Sequence, residues 1–265
     1  MRGRVLVIAG SDSGGGAGIQ ADIKTITMLN GYAATALTAL TAQNTLGVQE
    51  VFPVPPTFVK RQLLSVLDDI GADAIKIGML HSVEIVEVVA KTLSQTLYSS
   101  IPLIIDPVMQ AKGGDALLQK EALERFCNLL LTRAFLLTPN IPEAEILVGF
   151  SIKTPDDMKQ AALRLHERGV KRVLVKGGHL AGDHLVDLLL TEEGIVEFTG
   201  ERIPSRHTHG TGCTLASAIS IGLAQGLSVT EAVKRARTYL IKALKTAPGY
   251  GAGAGPINHS ITIEG

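Results

Sequence analysis

Tryptophan is absent from this 265-residue chain, and aromatic residues of all kinds make up only 4% of it. That leaves little material for a platform on which single-stranded nucleic acid could stack. Neither sign of charge is in excess, with 25 basic and 25 acidic residues and no long run of either. A phosphate-backbone partner would want a basic face, so no nucleic-acid partner is expected. The two cysteines, Cys127 and Cys213, lie far apart without metal-ligand spacing, which fits a reduced setting and a cytoplasmic location. No stretch comes near the roughly 20 apolar residues that span a bilayer, and no membrane partner is expected. The start, Met1-Arg2-Gly3-Arg4, carries the charge of a secretion signal. Its apolar run from Val5 to Ala9 is too short for one and is cut by Ser11-Asp12-Ser13.

What the chain does have is alternation. Short aliphatic runs read as strands at Val5–Ala9, Ala33–Leu40, Ala74–Ile77, Leu103–Ile105, Phe135–Leu137 and Arg172–Val175. Helical patterns fall at about Ile19–Leu29, Thr57–Asp69, Val83–Leu97, Glu121–Leu130, Glu143–Val148, Pro155–Arg168, Thr214–Gln225 and Thr230–Thr246. Leu185–Leu190 and Gly194–Phe198 look like antiparallel strands around Glu192-Glu193. Apolar strands alternating with amphipathic helices imply a three-layer α/β fold, with a mainly parallel central sheet and helices on both faces. Length and the lack of a linker favour one domain over residues 1–265. In such sheets ligands bind beyond the carboxyl ends of the strands. Polar or glycine-rich groups follow one strand after another: Gly10 to Gly18, Gln43-Asn44, Gly78-Met79, Asp106-Pro107, Asn140 with Glu143, and Lys176-Gly177-Gly178. They point to one long cleft along the rim.

Gly210-Thr211-Gly212-Cys213 stands just before an apolar helix, where glycine backbone and a helix start together make an anion hole. A plain turn with Thr211 as N-cap explains the same residues about equally well. Cys213 at a helix start is expected to have a lowered thiol pKa, whereas Cys127 sits in an apolar helical pattern and reads as core. His207, His209 and Cys213 lack a recognised zinc spacing. Lys176 at a strand end, beside two glycines, suits a phosphate, although a surface lysine beside a turn is the simpler alternative. Asn140 and Glu143 form a capping-box pattern; Glu143 with Asp106 is also a carboxylate pair of the kind that holds hydrated Mg²⁺ against a nucleotide. The loop Gly10–Gly18 fails the dinucleotide spacing, because Ile19 stands where a third glycine is needed, and no Gly-Lys pair exists for a P-loop. Asp22 reads equally well as a complement to the helix dipole or as a substrate contact.

Taken in order, the strings Ala9 to Asp22, Thr41-Ala42-Gln43-Asn44-Thr45, Lys76 to Leu80, Asp106-Pro107-Val108-Met109, Thr138-Pro139-Asn140, Val175 to His179 and His209 to Cys213 form a set. The set resembles the hydroxymethylpyrimidine / hydroxymethylpyrimidine phosphate kinases of thiamine synthesis, in the ribokinase-like superfamily. The tail from Gly253 to His259 resembles the family's terminal segment. The resemblance implies a ribokinase-like fold, ATP and Mg²⁺ as donor and cofactor, a homodimer, and two successive phosphorylations of a small pyrimidine alcohol. It also implies roles: Gln43, Asp22, Met79, Val108 and Gly10 around the substrate; Lys176, Asn140 and Glu143 around ATP; Asp106 and Glu143 near the metal. Gly210, Thr211 and Gly212 would be the anion hole, with Cys213 where many ribokinase-like enzymes carry an aspartate base. A fused thiamine phosphate synthase is not expected within these 265 residues. Pyridoxal/pyridoxine kinases of the related cysteine-containing type are the alternative, and a non-catalytic vitamin or nucleotide sensor is an alternative of another class.

Overall fold

The computed structural model describes residues 2–110, 114, 117–180, 182 and 184–263. Among these residues, nine strands share one sheet: β1 (Arg4–Asp12), β2 (Tyr32–Asn44), β3 (Gly47–Pro53), β4 (Ala74–Ile77), β5 (Leu103–Ile105), β6 (Leu136–Leu137), β7 (Val173–Val175), β8 (His184–Thr191) and β9 (Gly194–Glu201). Their order is β3-β2-β1-β4-β5-β6-β7-β8-β9. Pairings from β2 across to β7 are all parallel. Antiparallel strands flank this core, β3 on one edge and the β8–β9 hairpin on the other.

The helices are α1 (Gly18–Met28), α2 (Pro56–Ser65), α3 (Val83–Leu93), α4 (Lys120–Leu129), α5 (Ile141–Val148), α6 (Pro155–Glu167), α7 (Thr211–Ala224) and α8 (Val229–Lys245). Helices α2 to α6 pack on one face of the sheet, and α1, α7 and α8 on the other. The strands show why both faces need cover. Along β1, Leu6 and Ile8 enter the first layer while Val5, Val7 and Ala9 enter the second; in β5, Leu103 and Ile105 oppose Ile104 in the same way. A strand that is apolar on both sides is stable only between two helical layers.

The structure departs from the sequence reading where local chemistry outweighs periodicity. α3 ends at Leu93, not Leu97, as the hydroxyls of Thr92 and Ser94 bond back to Val88 O and Lys91 O. α2 stops at Ser65 and passes into a wider turn over Val66–Ile70. β2 runs on to Asn44, because β3 returns beside it and supplies the missing hydrogen bonds. α7 begins at Thr211, three residues earlier than expected, so Gly210 and not Thr211 is its N-cap. The shift matters, since it puts Thr211, Gly212 and Cys213 in the first helical turn.

Candidate active site

Parallel strands deliver their C-terminal ends to one rim, and a cavity of about 330 Å³ opens there. Every residue proposed above for the site lines it except Asp22. At one corner of it, Lys176 follows β7 and places Nζ 2.7 Å from Asp106 Oδ1 and 4.0 Å from Glu143 Oε2. Gly212 faces two of these groups: a Cβ there would lie 3.4 Å from Asp106 Oδ2 and 3.5 Å from Lys176 Nζ. Thr211 N–H turns back to Thr208 O at 3.4 Å, and Thr214 N–H makes the first bond inside α7, to Gly210 O at 2.9 Å. Between them, the N–H groups of Gly212 and Cys213 precede any acceptor of their own helix. They lie on the wall that carries Asp106 and Lys176.

Asn140 and Glu143 complete that corner. The capping box forms, with Glu143 N–H donating to Asn140 Oδ1 at 2.9 Å and Asn140 N–H donating to Glu143 Oε2 at 2.8 Å. Burial pushes the Glu143 carboxyl up to about 7; Lys176 opposes the rise and Asp106 adds to it. Burial works against the charge of Lys176, yet the carboxylates of Asp106 and Glu143 outweigh it and hold the lysine above its ordinary pKa. The corner is therefore one cation shared between two carboxylates.

Across the cavity is a less charged corner. Met79 is buried beneath Gly10, where any Cβ would come within 2.9 Å of the methionine sulfur. Val108 packs beside Met79. Gln43 reaches in from the end of β2; the Thr41 hydroxyl lies 3.1 Å from its Oε1 and 2.9 Å from Ser11 O, which anchors the amide.

The profile of the phosphomethylpyrimidine kinase family matches residues 12–258, nearly the whole chain. The chain belongs to that family. A thiamine biosynthesis bifunctional protein of Geobacter sulfurreducens is 49% identical over 263 residues, which is 99% of this chain and 53% of that protein. The chain thus spans about half the length of that relative. The hydroxymethylpyrimidine/phosphomethylpyrimidine kinase of Bacillus subtilis is 44% identical over 257 residues, 97% of this chain and 94% of that one. Among solved structures, an ADP complex of Bacillus subtilis pyridoxal kinase superposes with a TM-score of 0.90 at 38% identity, over 98% of both chains. A phosphomethylpyrimidine kinase of Clostridium difficile does so at 0.80 and 42% identity, over 91% of this chain and 98% of the other. The ribokinase-like reading of the fold holds.

Two expectations need correction against this family frame. Asp22 does not reach the cavity. It is fully buried on α1, where both its oxygens lie 3.0 Å from Lys76 Nζ and Oδ1 accepts from Ser217 Oγ at 2.6 Å. It is the fifth residue of α1, so the helix-dipole reading fails as well. Lys76, itself buried and bordering the cavity, needs that counter-charge, and Asp22 supplies it from below.

The second correction concerns Cys213. Its thiol is not lowered but pushed up to about 11, first by burial. Lys76 and the Gly18 amide pull it down, while Asp22 and Asp106 push it further up. The favourable helix start is outweighed by desolvation and by two carboxylates in a confined space.

Sequence reasoning missed a second chamber of about 270 Å³, which shares Asn140, Lys176, Thr211 and Gly212 with the first. Its far walls are Leu215 on α7, Leu240, Ile241 and Leu244 on α8, and Ile203. Those on α7 and α8 read as ordinary helix-packing positions and Ile203 as a loop residue, and nothing in their spacing sets them apart.

No group of three or more metal-binding side chains occurs among the described residues. Mg²⁺ does not require one, because it takes one or two carboxylates and otherwise waters and phosphate oxygens. The paired carboxylates around Lys176 fit that mode, and no dedicated metal cage is present among the described residues.

Proposed function

We propose that the protein, acting as one domain, transfers the terminal phosphoryl group of ATP to the hydroxymethyl oxygen of 4-amino-5-hydroxymethyl-2-methylpyrimidine. It then phosphorylates the resulting monophosphate to the diphosphate, as steps of thiamine synthesis. One observation carries the reading: Gln43 and Met79 open into the same cleft as Lys176, Gly212 and Cys213. An acceptor ring and a triphosphate can thus meet end to end.

Gln43 offers a donor and an acceptor side by side, which complements the ring amine and its neighbouring nitrogen. Met79, Val108 and the bare backbone at Gly10 give a flat apolar slot for the ring. The nucleotide enters from the second chamber, whose leucine and isoleucine walls suit a purine base. Lys176 turns from Asp106 towards the arriving phosphates, and Asn140 borders the same passage. Asp106 and Glu143, released from the lysine, would then hold Mg²⁺, which neutralises phosphate charge when it is bound. The first-turn amides of α7 receive the negative charge that develops on the transferred group.

Cys213 remains a neutral thiol near neutral pH and so cannot accept a proton; its proposed role is to hold the acceptor hydroxyl, whose proton passes late to an oxygen of the transferred phosphoryl group. Phosphoryl transfer through a loose transition state depends chiefly on positioning and charge neutralisation.

The proposal includes a cytoplasmic homodimer. Leu40 and Phe52 stand opposite each other on the edge hairpin β2–β3, and both are exposed at 43% and 62%. They offer an apolar face for a second copy.

The test is ADP release with hydroxymethylpyrimidine or pyridoxal as acceptor, at matched ATP. We expect the higher kcat/KM on the pyrimidine. Equal or greater efficiency on pyridoxal would reassign the substrate, and release that ignores both acceptors would favour a sensor.

A further inference from the structure

Asp12 ends β1 and is almost wholly buried. Its Oδ1 accepts from the amide of Gly14 at 2.8 Å; its Oδ2 accepts from those of Gly16 at 3.0 Å and Ala17 at 2.8 Å. The remaining partner is His209, whose Nε2 lies 2.8 Å from Oδ2. An ionised carboxylate can only accept, so Nε2 carries the proton. Burial would raise the Asp12 carboxyl, yet His209 and the amides of Ala17 and Gly14 together hold it below its ordinary pKa.

The two ends of this contact belong to different halves of the cleft. Gly14 to Ala17 form the glycine-rich loop on the acceptor side. His209 immediately precedes Gly210, the N-cap of α7, and so controls where the Gly212 and Cys213 amides stand. The two segments are pressed together. Gly210 has a left-handed backbone with φ +82°, and a Cβ on it would lie 1.8 Å from Gly16 O. A Cβ on Gly16 would lie 2.5 Å from the His209 ring. On its other side, His209 N–H donates to Gly255 O at 3.2 Å, which ties the chain's tail to the same point.

We propose that His209 is a positioning residue for phosphoryl transfer: through Asp12 it holds the anion-hole turn in register with the loop that borders the acceptor. The inference rests on the kinase reading given above. A neutral imidazole protonated at Nε2 is sufficient, so what matters is a donor at that position and not a charge. Glutamine can place its amide nitrogen where Nε2 stands, whereas asparagine is too short.

The experiment compares His209→Ala, His209→Gln and His209→Asn in the full chain with Mg-ATP and hydroxymethylpyrimidine. We expect His209→Ala and His209→Asn to lower kcat by about tenfold to a hundredfold, with the KM for ATP within about threefold of the parent. His209→Gln should recover most of that loss. A second readout needs no turnover: in unliganded protein the amides of Gly14, Gly16 and Ala17 should exchange hydrogen at least about tenfold faster in His209→Ala, and near the parent rate in His209→Gln.

If His209→Ala does not fold, the contrast between His209→Gln and His209→Asn decides alone. Parent-like kcat in His209→Ala or His209→Asn, His209→Gln as slow as His209→Asn, or unchanged exchange at the three amides would each overturn the inference. A parent protein that leaves the pyrimidine unphosphorylated would instead count against the kinase reading, and the exchange rates would still show whether His209 holds the loop.

Discussion

Single residues in this site are governed by what surrounds them more than by their type. Cys213 has the helix-start position that ordinarily favours thiolate, and its burial beside Asp22 and Asp106 reverses the sign. Alkylation tests this directly. With the thiol pushed up to about 11, the rate at which iodoacetamide modifies the Cys213 peptide should climb about tenfold per pH unit through neutrality, without a plateau below about pH 10. A plateau near pH 8 would mean that the helix start wins after all. Asp22 teaches the same lesson in reverse. Its partners Lys76 and Ser217 lie 54 and 195 residues away in sequence, so nothing near Asp22 in the chain announces an ion pair. By contrast, the gathering of Lys176, Asp106 and Gly212 in one cleft was legible, because each stands at a strand or helix end where polar groups converge.

Among the elements, helix starts do most of the positioning. Glu143 serves α5 as the third residue of a capping box and also faces Lys176, and substitution can separate these duties. Glutamine at that position keeps the cap but not the charge. With the carboxyl raised from 4.5 to about 7, the side chain is neutral at lower pH and ionised above. Folding favours the neutral form, so this group's contribution to stability is complete below about pH 4.5 and is lost as pH rises through about 7. Metal-nucleotide binding should run the opposite way. In the parent, the KM for Mg-ATP should rise by up to about tenfold per pH unit below about pH 7, and in Glu143→Gln it should be high and flat with pH. A parent-like pH dependence in Glu143→Gln would remove Glu143 from the metal site.

The start of α7 offers a companion test. Space at Gly212 accepts a Cβ but nothing longer, since Asp106 and Lys176 stand 3.4 and 3.5 Å beyond it. Gly212→Val should therefore lower kcat by about a hundredfold or more while the KM for the pyrimidine changes little, as loss of anion-hole donors does elsewhere. Unchanged turnover would place the phosphates away from α7.

At the scale of the whole molecule, the core sheet was readable because its strands are apolar on both faces, as β1 and β5 show. The hairpin partner β3 was not, since Gln49, Glu50 and Phe52 face solvent and give no core periodicity. Exposed Phe52, opposite Leu40, supports the proposed dimer face. Phe52→Glu should convert a sedimenting dimer to monomer at about micromolar concentration; a parent that already sediments as a monomer would remove the dimer from the account.

The central claim is that one groove carries an acceptor ring and a triphosphate in line and serves twice. Product analysis by mass spectrometry, from hydroxymethylpyrimidine and excess ATP, addresses it most directly. The account predicts the monophosphate first and the diphosphate after it, with two ATP consumed for each diphosphate formed. ATP hydrolysis without any phosphorylated pyrimidine would contradict it.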